Sequence, residues 1–127
     1  MRSKKLLLFS ERTYFNMANL ILKNNKVLWK CSNSMLALIY ETIMEIMNNK
    51  KINKGSSIYK FVGKLNQDIY GDGCISLDLD DYLKYKNDIL EFAKLFKEAI
   101  EQLKEKFQWQ DELYNHALKL YQQLVEL

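Results

Sequence analysis

The chain has 127 residues, 48% of them hydrophobic and 28% charged, with no proline and four glycines. That length makes one domain, and folding it buries roughly two-thirds of the unfolded surface, so neither disulfide nor metal staples are needed. The missing punctuators argue against a turn-rich all-β protein, and the balanced composition against a disordered one. A formal charge of +3 names no partner by itself.

Apolar spacing predicts a mainly all-α protein: residues 1–127 as a single helical domain, a bundle of four or five helices with a short extended Gly/Asp-rich segment around residues 69–80. Before the first helix, Met1-Arg2-Ser3-Lys4-Lys5 precedes only four apolar residues, Leu6–Phe9. A secretory core needs about 7–15 and a membrane span about 20, so the chain is expected to be cytoplasmic and not membrane-bound. The first helix is expected from Glu11 to Asn24, capped by Ser10, with Tyr14, Phe15, Ala18, Ile21 and Leu22 on one face and Asn24-Asn25 ending it. The state of Val27-Leu28-Trp29 is undecided.

Ser32 or Ser34 caps a second helix carrying Met35, Leu36, Leu38, Ile39, Ile43, Ile46 and Met47. Its Met35, Met44 and Met47 are either an adaptable binding surface or, more commonly, core filler. Residues 48–57 form a loop, after which Ser56 or Ser57 caps a third helix with Ile58, Phe61, Val62 and Leu65. Residues 74–80 fit an extended segment by the alternation of Ile75, Leu77 and Leu79, and their acidic end fits a helix start equally well. A long helix follows, with Asp88 and Glu91 as a variant capping box and a stripe from Ile89 through Phe96 to Phe107. The charges on its other faces read as a solvated surface. The last helix, about Asp111–Val125, joins it through a short connection that favours antiparallel packing.

No catalytic, metal or cofactor site is expected. His116 is the only histidine and reads as a helix-surface residue beside Leu113, Ala117 and Leu120. Cys31 and Cys74 form no Cys-x-x-Cys pair and read as buried thiols. Residues 68–79 overlay an EF-hand loop at Asp68, Asp72, Gly73 and Ile75, but Tyr70 and Leu79 stand where oxygen ligands are required. A plain Gly-Asp-Gly turn accounts for the segment better.

Charge is distributed unevenly. Residues 1–64 hold twelve Lys or Arg against three Glu, a net of +9; residues 65–127 hold seven Lys against thirteen acids, a net of −6. Five aspartates and no base lie between Leu65 and Leu83. Asp68, Tyr70, Asp72, Asp78, Asp80, Asp81, Tyr82 and Tyr85 are therefore the candidate surface for a protein partner, with charge steering the encounter and rings anchoring it. The competing explanation is that aspartate simply favours turns and helix starts.

The stretch Tyr70-Gly-Asp-Gly-Cys-Ile-Ser-Leu-Asp-Leu-Asp-Asp-Tyr82, followed by Asn87-Asp-Ile-Leu-Glu-Phe92, resembles small bacterial immunity proteins of the contact-dependent growth inhibition type. The resemblance implies a non-catalytic inhibitor that binds a cognate toxin domain, such as a nuclease, and occludes its active site or basic cleft. It carries no residue assignments. An alternative is nucleic-acid binding through Lys23, Lys26, Lys30, Lys50, Lys51 and Lys54, disfavoured because only two arginines are present. A third reading is a helical adaptor or a subunit of a homo-oligomer.

Overall fold

A computed structural model describes residues 18–69 and 76–127. Strand β1 (Ala18–Lys23) turns into strand β2 (Lys26–Ser32), which leads directly into helix α1 (Asn33–Asn49) and then helix α2 (Ser57–Ile69). A three-residue strand β3 (Ser76–Asp78) runs into a single 3-10 turn (Leu79–Asp81), followed by helices α3 (Lys86–Phe107) and α4 (Asp111–Glu126). Most of the described residues are helical, and none of the described helices is long and apolar enough to cross a membrane.

Over residues 18–23 the expected first helix is instead a strand; its remainder and the Ser10 cap lie outside the described residues. Ile21 and Leu22, placed on one helical face by the sequence pattern, point to opposite faces of the sheet. Ile21 is fully buried opposite Trp29, and Leu22 is half-buried. The decisive local feature is Asn24-Asn25. Both residues have positive φ, 53° and 63°. This is the geometry of a two-residue type I′ hairpin turn, which asparagine tolerates better than most residues. The pair therefore reverses the chain between two strands.

The sheet order is β2-β1-β3, with β1 antiparallel to β2 and parallel to β3. A register shift after Ile21 leaves Leu28 as an extra residue in β2. Strand edges invite pairing with other chains, and β2's outer edge is closed by α4. Gln123 Nε2 donates to the Leu28 carbonyl at 3.4 Å, and His116 Nε2 lies 2.8 Å from the Lys30 carbonyl. The His116 ring also stacks on Trp29, with centroids 5.2 Å apart, while the Trp29 indole N–H donates to the His116 carbonyl at 2.8 Å.

Serine caps open α1 and α2 as the sequence indicates. Ser32 Oγ accepts the Met35 N–H and Ser56 Oγ the Tyr59 N–H, each at 3.2 Å. Met35 and Met47 are core residues, and Met44 is half-buried beside Gly63. At α3 the cap differs from expectation. The helix begins at Lys86, so Asp88 lies inside the first turn and Tyr85 is the cap residue, with no side-chain capping bond. The Tyr85 carbonyl takes both the Asp88 and Ile89 amides, at 3.0 and 3.2 Å. Buried Leu83 and Ile89 hold this entry to the core.

The core centres on stacked and edge-on rings. Phe92 lies 6.1 Å from Tyr40, 5.2 Å from Phe61 and 6.1 Å from Phe96, joining α1, α2 and α3. Trp29 meets Phe96 edge-on at 5.8 Å and ties the sheet to α3. Such pairs add about 0.5–1.5 kcal/mol each beyond the area they bury.

Candidate functional site

The acidic segment does two different things. Asp78 and Asp80 are half-buried and bind the β1–β2 hairpin tip. Asp78 Oδ2 accepts the Asn25 amide and Asp80 Oδ2 the Asn24 amide, both at 2.9 Å. Asp78 Oδ1 also caps the 3-10 turn by accepting the Asp80 amide at 2.9 Å, and Lys23 forms an ion pair with Asp80. The Lys23 hydrogen bond is the main cause holding the Asp80 carboxyl below its ordinary range, with the Asn24 amide adding to it. These two carboxylates satisfy turn amides that β pairing leaves open.

The remaining candidates are presented around this anchor. Asp81 is exposed. Tyr82 is half-buried, its ring 5.4 Å from Phe61. Tyr85 is 72% exposed, between exposed Lys84 and Lys86. Leu79 and Leu83 are fully buried on either side of Asp81 and Tyr82. The segment from Asp78 to Tyr85 is thus held at its start by the hairpin tip and along its length by the core. Tyr70 and Asp72 lie outside the described residues, as do the Gly71-Asp72-Gly73 turn and Cys74; Asp68 is in the last turn of α2.

Of the six lysines considered for nucleic acid, Lys23 is paired with Asp80 and Lys50 with Glu98, the latter at 3.0 Å. Both pairs join the basic N-terminal half to the acidic C-terminal half. Lys26 and Lys30 are exposed on β2, and Lys51 and Lys54 are exposed after α1. Lys51 sits in the left-handed region with φ 57°. Among the described residues, no three or more His, Cys, Asp or Glu are grouped as metal ligands would be. Cys31 is buried, and burial pushes its thiol well above the ordinary range. Burial does the same to the Tyr40 hydroxyl.

A second surface feature escaped the sequence reading. Where the end of α3 meets the start of α4, Glu101, Lys104, Glu105, Gln108 and Tyr114 line an open groove of about 430 Å³. Lys104 Nζ sits 4.3 Å from the Tyr114 ring centre and 4.0 Å from Asp111 Oδ1. The Tyr114 hydroxyl donates to Glu101 Oε2 at 3.4 Å, and Lys97 pairs with that same oxygen at 3.2 Å. Lys97 in turn lies 5.0 Å from the Tyr121 ring centre. Helical spacing marks the α3 charges as a solvated face. Only antiparallel pairing with α4 puts tyrosine rings against them.

The chain matches no protein-family model, and no curated protein and no solved structure matches it.

Proposed function

We propose that this chain is a non-catalytic protein-binding inhibitor, an immunity protein that neutralises a toxin domain by covering its active site or basic cleft. In this reading residues 1–127 form one helical domain of four or five helices, with an extended Gly/Asp-rich segment around residues 69–80. The carrying observation is Tyr85, a large aromatic side chain 72% exposed on an otherwise anchored segment. Exposed tyrosines are characteristic binding anchors, and a pre-ordered segment costs less entropy to dock than a loose one. Asp81 supplies the free acidic group of this surface, since Asp78 and Asp80 are engaged at the hairpin tip.

The internal pairing of Lys23 and Lys50 favours this reading over the nucleic-acid one, because two of six candidate phosphate contacts are already neutralised. The test is titration calorimetry with the toxin-sized product of the adjacent upstream gene. A one-to-one complex is expected, and Tyr85→Ala should weaken it at least tenfold, as hot-spot truncation does. Failure of that product to bind the chain refutes the assignment; full affinity in Tyr85→Ala refutes the surface.

A further inference from the structure

The groove between the end of α3 and the start of α4 combines an aromatic face with carboxylates on both sides. Tyr114 is half-buried and provides the ring. Glu101 and Glu105 line the α3 side, while Asp111 and Glu112 stand in the first turn of α4. A ring face attracts a cation through its quadrupole, and a guanidinium also stacks on it. One cation already occupies that position, because Lys104 lies over the Tyr114 ring.

Lys104 is held there loosely. Its nearest carboxylate is 4.0 Å away, on an Asp111 side chain that is 92% exposed. Exposed pairs of this kind contribute little, so exchanging one cation for another costs little. Three carboxylates, Glu101, Glu105 and Asp111, stand against two lysines, Lys104 and the Lys97 that pairs with Glu101 Oε2. The carbonyl end of α3 also favours positive charge, and the two acids in α4's first turn offset that helix's opposing dipole. Desolvation and the neighbouring Glu101 raise the Tyr114 hydroxyl above its ordinary range.

We infer that the α3–α4 groove recognises an arginine side chain of a protein partner, which replaces Lys104 over the Tyr114 ring and pairs with Glu101 and Glu105. The inference rests on the protein-binding reading and adds the chemistry of the segment recognised. It adds a second acidic contact, between α3 and α4, to the surface formed by Asp81 and Tyr85. Lys104 is then a place-holder that keeps the groove assembled while it is empty.

The test uses the full chain and needs no toxin. A capped Gly-Arg-Arg-Gly peptide is titrated against it by NMR, with the citrulline analogue, of the same shape but uncharged, as control. Saturable shifts are expected at the amides around Tyr114, Lys104 and Glu101, and none with the citrulline peptide. Lys104→Met should tighten binding about threefold or more by vacating the ring. Tyr114→Leu should weaken it by a similar factor, and Tyr114→Phe should leave it within twofold. Shifts spread over all acidic surfaces, or equal affinity in Tyr114→Leu and Tyr114→Phe, mean simple charge attraction and overturn the inference. Unaltered or weaker binding in Lys104→Met overturns the place-holder role. Failure of peptide binding leaves the Tyr85 experiment standing, so the two readings fail separately.

Discussion

Replacing His116 tests whether α4 closes the open edge of the sheet. His116 acts through two groups: its ring stacks on Trp29, and its Nε2 faces the Lys30 carbonyl at 2.8 Å. A carbonyl has no hydrogen to give, so Nε2 carries the proton in this bond. In His116→Ala, losing the ring pair costs about 0.5–1.5 kcal/mol. Losing the donor costs a further ~0.5–1 kcal/mol, at the low end because water can reach that carbonyl. The Trp29 indole bond to the His116 backbone survives the change. The expected loss is therefore about 1–2.5 kcal/mol, a fall in Tm of roughly 4–9 °C for a domain of this size. Two further variants separate the parts. His116→Gln keeps a donor at a similar reach without the ring, and His116→Phe keeps a ring without the donor. Each should lose about half, measured by urea unfolding followed through the fluorescence of buried Trp29 and Trp109. Stability of His116→Ala within 0.3 kcal/mol of the parent would show that the edge needs no guard. Equal, undiminished stability of the Gln and Phe variants would refute the division of labour.

The Asp80 carboxyl, held low by Lys23, stabilises the fold above the carboxylate's unfolded value of about 3.9, and that contribution disappears as pH falls through its lower folded value. The Asn24 amide resonance, whose N–H Asp80 accepts, should hold steady from pH 7 to 5 and move at pH values below about 4, a change that Asp80→Asn abolishes. Lys51 and Gln108 occupy the left-handed region with φ of 57° and 52° at the ends of α1 and α3. Replacing either by glycine should raise unfolding free energy by about 0.5–1 kcal/mol, since relief of the Cβ clash outweighs glycine's added chain entropy. Buried Cys31, its thiol raised by desolvation, should resist iodoacetamide at pH 8 in the folded protein and react on unfolding, as read by peptide mass spectrometry.

Helices α1 to α4 were legible because their apolar residues repeat at one period and serines sit where α1 and α2 start. Ser32 and Ser56 cap as their positions imply, and the stripe from Ile89 to Leu103 is buried. The hairpin was not legible for a definite reason. Leu20-Ile21-Leu22 is a continuous apolar run that suits a helix or a strand, and Asn-Asn stops one as readily as it turns the other. Only pairing of Ile21 with Trp29, and of β1 with the distant β3, decides between them.

The same limit governs the candidate site. Sequence alone determined that opposite charges are segregated between the two halves, and that aspartates and tyrosines crowd residues 68–85. Tertiary structure decided what those charges face. It committed Asp78 and Asp80 to amides more than fifty residues away, joined Lys23 to Asp80 and Lys50 to Glu98, left Tyr85 exposed, and set Tyr114 beside Glu101 and Lys104. A charge's role depends on what lies within a few ångströms of it, because water and salt screen everything farther away. Those neighbours come from segments far apart in the chain, so local composition locates the charges and folding alone assigns their partners.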